Sequence, residues 1–124
     1  MIKLFQKIAN DHVSNISDKN IYFINKKFED ALPQLIENEG NFDFVFFDGN
    51  HSEKATIGYF EQCLTNINDR SIFVFDDIHW SKGMENAWNY IQTHPKTKVC
   101  IDLFQFGIIF FRNELTKQNY TIRF

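Results

Sequence analysis

Two apolar segments of the sequence end in the same way, with aspartate at the point where a buried strand would reach the surface. The first is FDFVFFDGNH, residues 42–51, and the second is SIFVFDDIHW, residues 71–80. Nearly continuous runs of Phe, Val and Ile are typical of strands that are covered on both faces, as in a parallel sheet. The runs therefore decide the fold class, and the aspartates that end them, Asp48, Asp76 and Asp77, indicate where a site would lie.

The segments around these runs alternate between helical and strand patterns. Helices are expected in Ile2–Ile16, in Phe28–Ile36 before Gly40, from an N-cap at Asn50 to Ile67, and in Met84–Ile91 before His94-Pro95. Further strand patterns are NIYFIN (residues 20–25), KVCIDLF, FGIIFF and NYTIRF, of which KVCIDLF and FGIIFF are expected to form an antiparallel pair. Strict alternation indicates βαβ units. The expected fold is α/β and Rossmann-like, with a mostly parallel sheet, helices on both faces and a C-terminal antiparallel hairpin.

Composition excludes several classes of protein. A chain of 124 residues is long enough for one domain, and its net charge of −3 disfavours a nucleic-acid partner. No apolar run approaches the length of a membrane span, and the N-terminus lacks the apolar stretch of a signal peptide. Cys63 and Cys100 have no metal-like spacing and are expected to be reduced, buried thiols. We therefore expect a cytoplasmic protein with no membrane partner.

The terminal aspartates are expected to share one edge of the sheet. Ligands of open α/β sheets bind outside the carboxyl ends of the strands, and one crossover separates Asp48 from Asp76. Clustered carboxylates repel one another unless a cation compensates them, and His51 adds a group that titrates near neutral pH. The alternative is structural, because Asp48-Gly49-Asn50 is also a turn sequence and Asp76 or Asp77 would cap the following loop. Both tryptophans, Trp80 and Trp88, are expected to be packing residues.

The same segments resemble a known family. FDFVFFDGNH, SIFVFDDIHW and VCIDLFQFGIIFFR are similar to the second half of a class I S-adenosylmethionine-dependent methyltransferase, most closely to the small-molecule O-methyltransferase branch. The first two runs resemble the fourth and fifth strands of that fold, and YFINKKFEDALPQL resembles the third strand and its helix. The resemblance covers most of the chain. It implies one partial methyltransferase domain over residues 1–124.

The resemblance implies roles for the clustered residues. Asp48, Asp76 and Asp77 match the three oxygen ligands of a divalent cation such as Mg²⁺ in the metal-dependent branch, although the third ligand there is typically asparagine. That branch commonly has a lysine three residues after the first ligand, where this chain has His51. By this comparison His51 is the catalytic residue, a general base for the acceptor hydroxyl.

The resemblance also implies a cofactor, S-adenosylmethionine, and a small-molecule acceptor. Lys27 and Phe28 resemble positions that border the adenine after the third strand, and Asp48 and Asn50 have cofactor-binding positions after the fourth. The expected activity is transfer of a methyl group to a small-molecule hydroxyl.

One departure from the family pattern concerns its N-terminal half. The five glycines never form a G-x-G pattern, so the chain is expected to begin after the second strand of an N-terminally truncated fold. The Phe42–Phe47 strand would then have an unpaired side. This leaves an alternative in which the chain is inactive by itself, a non-catalytic module or fragment that self-associates, for instance as a homodimer. A phosphoryl-transfer receiver domain is disfavoured because its acidic pair precedes its single aspartate, the reverse of the order here.

Overall fold

The structure, a computed structural model, describes residue 24 and residues 26–124. The chain divides into two compact units, Met1–Ala31 and Leu32–Phe124, and the second contains both of the quoted runs. The helix expected over Ile2–Ile16 lies outside the described residues, as does the strand expected over residues 20–25 apart from residue 24. Those two elements therefore stay predictions.

Helices and strands occur in the predicted order along the described residues. They are α1 (Phe28–Asn38), β1 (Phe44–Phe47), α2 (Glu53–Cys63) with a 3₁₀ turn (Leu64–Asn66), β2 (Ile72–Phe75), α3 (Lys82–Thr93), β3 (Val99–Asp102), β4 (Gly107–Phe110) and β5 (Gln118–Thr121). His94 ends α3 immediately before Pro95, as expected from the missing N–H of proline. The alternation that was predicted from sequence periodicity is therefore confirmed for this part of the chain.

The described strands form one five-stranded mixed sheet in the order β1-β2-β4-β3-β5. Strand β1 is parallel to β2, and β4 runs antiparallel to both β2 and β3. Strand β5 is parallel to β3. The α/β, Rossmann-like fold class and the β3–β4 antiparallel pair are thus confirmed. Four of these strands, β1, β2, β3 and β5, run in the same direction, so their carboxyl ends lie on one edge of the sheet.

The core lies between the sheet and the helices α2 and α3. Phe60 of α2 is fully buried and meets the rings of Phe73 and Phe75 on β2, with ring centroids 6.4 and 6.1 Å apart. Trp88 of α3 is buried as predicted, and it packs directly over Gly107, where an added Cβ would lie 2.4 Å from the indole ring. Gly107 therefore allows α3 to approach the sheet closely.

Both cysteines are buried free thiols, as predicted. Burial raises the pKa of Cys63 to about 12 and that of Cys100 to about 12, because a thiolate is poorly solvated in the core. Within the described residues, no helix combines the length and the apolar character that crossing a bilayer requires.

Strand β1 departs from the expectation of burial on both faces. Val45 and Phe47 pack against the core, but Phe44 is 63% exposed and Phe46 is 46% exposed. Successive side chains of a strand point to opposite faces, so both exposed rings lie on the same face of β1. The prediction of a fully covered strand was therefore wrong for β1. Its apolar run is continuous because one face packs on the core and the other presents aromatic side chains.

Candidate functional site

The turn between β1 and α2 supplies the first residues of the candidate site. Asp48 directly follows β1, and Gly49 and Asn50 then adopt positive φ angles of 153° and 47°. Asn50 was predicted to cap α2, but the N-cap is Ser52, whose hydroxyl accepts the N–H of Ala55 at 3.3 Å. An N-cap residue has extended backbone angles, and Asn50 lies in the left-handed region instead. The turn thereby exposes Asp48 and Asn50 at the carboxyl edge of the sheet.

His51 lies between aspartates that come from two different strands. Its Nε2 atom is 3.9 Å from Oδ1 of Asp48 and 3.7 Å from Oδ2 of Asp77, and its side chain is 29% exposed. The prediction that the ends of the two runs meet at one edge is confirmed. A protonated imidazole in this position would offset the charge of both carboxylates. The imidazole of His51 therefore lies between the two carboxylates, where a metal ion was expected.

Asp76 does not join this group. Its Oδ1 atom accepts the N–H of Asp77 at 2.9 Å, and its own N–H donates to the carbonyl of Phe47 at 3.0 Å. Asp76 thus caps its own loop, which is the structural alternative considered above. In the part of the chain that the structure describes, no three His, Cys, Asp or Glu side chains are placed to hold a metal ion. The expected triad of Asp48, Asp76 and Asp77 is therefore not assembled, and the expected divalent cation has no support.

The two cofactor residues predicted after the third strand lie at the start of α1. Phe28 is the first residue of that helix and is 47% exposed. The carbonyl of Lys27 accepts the N–H groups of Asp30 and Ala31, and its exposed ammonium lies 3.8 Å from Glu29. Both residues belong to the unit that ends at Ala31, so their predicted role near an adenine stays a prediction.

A second cluster, centred on Asp102, was not predicted. The carboxylate of Asp102 ends β3, and its side chain is only 8% exposed. Its Oδ2 atom is 2.7 Å from Nε2 of His79, and its Oδ1 atom accepts the N–H of Phe104 at 2.8 Å and an N–H of Arg123 at 3.0 Å. Burial raises the pKa of Asp102, but the hydrogen bonds from Phe104, His79 and Arg123 outweigh that effect and hold the pKa below its ordinary value of 3.8.

The sequence did contain a signal for this cluster. The stretch VCID, residues 99–102, is a third apolar run that ends in aspartate, and β3 is parallel to β2. Its terminal carboxylate therefore reaches the same edge of the sheet as Asp48 and Asp77. The pattern that singled out the first two runs applies equally to the third.

The loop after β2 also presents an aromatic side chain. Trp80 was predicted to be a packing residue, but it is 72% exposed, whereas Trp88 is buried as expected. Beside Trp80, Phe104 is 62% exposed, and both rings line a cleft with Asp77, His79 and Gln105. The packing prediction was wrong for Trp80 because this residue lies in a loop rather than in the apolar stripe of a helix.

Comparison with known proteins connects this edge to a family. A family described as "Methyltransferase domain" matches residues 3–78, which is more than half of the chain. The matched segment contains all of the site residues predicted from the sequence, namely Lys27, Phe28, Asp48, Asn50, His51, Asp76 and Asp77. No curated protein matches the chain.

Proposed function

The chain belongs to the methyltransferase domain family, of the class I S-adenosylmethionine-dependent type, and we propose that it transfers a methyl group to the hydroxyl of a small molecule. The observation that carries the proposal is the position of His51, within 4 Å of carboxylates from two neighbouring parallel strands. An imidazole held in this way suits the removal of a proton from an acceptor.

Membership of the family suggests S-adenosylmethionine as the methyl donor. When bound, this cofactor supplies an electrophilic methyl group on a sulfonium. The turn after β1 fits a polar ligand, because Asp48 and Asn50 are exposed there and Gly49 has no side chain to obstruct the backbone. We assign Asp48 and Asn50 to cofactor binding on this ground, and Lys27 and Phe28 on the family resemblance alone.

His51 acts as the general base in the proposed reaction. With S-adenosylmethionine bound, the sulfonium would supply the methyl carbon to the acceptor oxygen, and the electron pair of the broken carbon–sulfur bond would remain on sulfur. His51 would accept the hydroxyl proton at Nε2, and the products would be a methyl ether and S-adenosylhomocysteine. Asp48 and Asp77 stabilise the imidazolium that forms, because each carboxylate lies within 4 Å of Nε2. No step of this scheme requires a metal ion.

The first test is cofactor binding by the full chain. Calorimetric titration with S-adenosylmethionine and with S-adenosylhomocysteine is expected to show binding of both. Asp48→Asn is expected to weaken that binding. Asp69→Asn is the matched control, because Asp69 is exposed before β2, at the opposite end of the strand from the site. Absence of any heat of binding at millimolar ligand would exclude cofactor use by this chain.

The second test is methyl transfer. A donor with a labelled methyl group is offered with a panel of small alcohols and phenols, and labelled ether is measured. His51→Gln is expected to lower the rate by about 10²-fold or more, the usual contribution of a general base, without weakening cofactor binding. An unchanged rate in His51→Gln would refute the role of this residue.

A second candidate function is self-association through β1. This strand lies at one end of the sheet order, with no neighbour beyond it among the described strands, and it exposes Phe44 and Phe46. Unpaired strand edges with apolar side chains favour pairing with another chain. We propose that the partner is a second copy of this chain, paired edge to edge through β1.

Sedimentation over a wide range of concentration tests the second candidate. The chain is expected to form a dimer, and Phe44→Lys is expected to make it monomeric, because a charge on an edge strand opposes pairing. Leu115→Lys is the matched control, since Leu115 is 37% exposed and lies outside β1. A chain that stays monomeric at every concentration contradicts this candidate.

A further inference from the structure

The cleft beside Trp80 is a distinct feature of the carboxyl edge. It has a volume of about 300 Å³ and is lined by Asp77, His79, Trp80, Phe104 and Gln105. It lies where the loop after β2 meets the loop between β3 and β4. Of the lining residues that the structure describes, Asp77 alone falls within the matched segment, residues 3–78, so the family match says little about what the cleft binds.

The aromatic walls of the cleft are held in place although they are exposed. Phe104 stacks on the imidazole of His79, with ring centroids 5.7 Å apart, and lies beneath the guanidinium of Arg123, whose Cζ is 5.4 Å from the ring centroid. The backbone of Phe104 has a φ of 71°, which a bulky residue adopts only where its surroundings hold it. The N–H of Trp80 donates to the carbonyl of Asp77 at 3.0 Å. These contacts preorganise an apolar surface that faces solvent.

The described lining of the cleft includes one carboxylate, that of Asp77. Asp77 contributes a carboxylate whose only ion pair within the described part of the chain is with His51. The guanidinium of Arg123 is paired with Asp102, and His79 lies between Asp102 and Glu85, at 2.7 and 3.5 Å. Among residues 26–124, neither lysine nor arginine lines the cleft itself. A ligand in this cleft therefore meets aromatic rings and the carboxylate of Asp77, whose side chain is 30% exposed.

We propose that the cleft binds the cationic group of a small organic ammonium compound, and that the methyl acceptor is a hydroxylated organic cation. Aromatic faces attract cations through their quadrupoles. Alkyl groups on the nitrogen would also bury apolar surface against the walls of the cleft, which is favourable. Arg123 already makes such a contact with Phe104 inside the protein. The identification of this ligand as the acceptor rests on the proposed function. Asp77 connects the cleft with the proposed general base, since it lines the cleft and its Oδ2 lies 3.7 Å from Nε2 of His51.

A matched pair of probes tests the charge requirement. Choline and 3,3-dimethylbutan-1-ol have nearly the same shape, but only choline carries a positive charge. Titrations of the full chain without cofactor, followed by ligand-observed NMR, are expected to show choline binding at least tenfold more tightly than the neutral alcohol. Equal affinity for the two probes, or no binding of choline at ten-millimolar concentration, would overturn the proposal.

Two variants test whether choline binds in the cleft. Trp80→Leu retains an apolar side chain at an exposed position, and Asp77→Asn retains the shape but removes the charge. Each is expected to weaken choline binding about tenfold or more, while Asp69→Asn leaves it unchanged. Undiminished choline binding in both cleft variants would place the cation elsewhere and refute the assignment.

The outcomes for the cleft and for the proposed function are separable. Choline binding without any binding of S-adenosylhomocysteine would support the cleft and refute the proposed methyl transfer. Methyl transfer to neutral alcohols, with no preference for hydroxylated cations, would support the reaction and refute the acceptor class.

Discussion

Replacement of Asp102 by asparagine removes a charge from the one acidic side chain that is buried within the described residues. Asparagine has almost the same shape, and its carbonyl oxygen can still accept the N–H of Phe104. The change therefore isolates the ionic part of the contacts with His79 and Arg123. We expect the fold to be retained and the free energy of unfolding to fall.

The contacts of the carboxylate set the size of this effect. A hydrogen bond to a charged group contributes about 1.5–3 kcal/mol, and the 2.7 Å contact between His79 and Asp102 is of this kind. The Arg123 side chain is 49% exposed, so we assign its ion pair less than about 1 kcal/mol. The cost of burying the carboxylate opposes both contributions. The expected net loss in Asp102→Asn at neutral pH is about 2 kcal/mol.

The loss should depend on pH in a defined direction. The pKa of Asp102 is lower in the folded protein than its ordinary value of 3.8, so the folded state favours the ionised form. The resulting stability is fully present above pH 3.8 and is lost as the pH falls through the folded-state pKa. The difference between wild type and Asp102→Asn should therefore be largest near pH 7 and should shrink towards pH 3.

Urea unfolding at a series of pH values, followed by circular dichroism, measures this difference. At pH 7 we expect the midpoint of Asp102→Asn to lie about 1 M below that of the wild type. Asp69→Asn, at an exposed position, serves as the control and should shift the midpoint little at any pH. The proposed role of Asp102 would be refuted if the difference in free energy of unfolding between wild type and Asp102→Asn stayed constant from pH 7 to pH 3. A difference below about 0.5 kcal/mol at pH 7 would refute it as well.

Further predictions concern the core. Gly107→Ala places a Cβ 2.4 Å from the ring of Trp88 and should cost about 2 kcal/mol or more in urea unfolding. Gly58 lies in the interior of α2, and no described atom lies within 4 Å of a Cβ added there, so Gly58→Ala should instead add about 0.5–1 kcal/mol. Equal effects of the two changes would contradict the packing argument. Cys63 and Cys100, each with a pKa of about 12, should resist a thiol reagent at pH 8 in the native chain and react rapidly in denaturant. Rapid reaction of either native thiol would show that the core opens.

The fold could be predicted from local patterns where those patterns are strong. The two apolar runs and the α3 stripe of Met84, Ala87, Trp88 and Ile91 gave correct element types and the parallel β1–β2 pair. The errors lie in single backbone angles and in burial. The positive φ of Asn50, which moves the helix cap to Ser52, leaves no mark in the residue types, since both are good capping residues.

Only the part of the candidate site that lies in the two apolar runs and the turns directly after them was predicted from the sequence. His51 and Asp48 are three residues apart, and one crossover brings Asp77 to them. The VCID run indicates the position of Asp102, but not its partners, because His79 and Arg123 lie 23 and 21 residues away and their pairing depends on how strands β3 and β5 join the sheet. Hydropathy patterns indicate which faces are buried, but they do not specify side-chain pairs between distant loops.

Backbone strain gives independent support for a site at this edge. Within the described part of the chain, the non-glycine residues with positive φ are Asn50, Asp77 and Phe104. Each follows a strand whose carboxyl end lies on the same edge, β1, β2 and β3 respectively. Such conformations cost about 1–3 kcal/mol each and persist where the surroundings hold them, and they cluster at functional sites. Asn and Asp adopt such angles more readily than other non-glycine residues, so the cost is largest for the bulky side chain of Phe104. These residues present an amide, a carboxylate and an aromatic ring at one edge of the sheet, and all three lie at or beside the groups assigned to the cofactor, the base and the cation cleft.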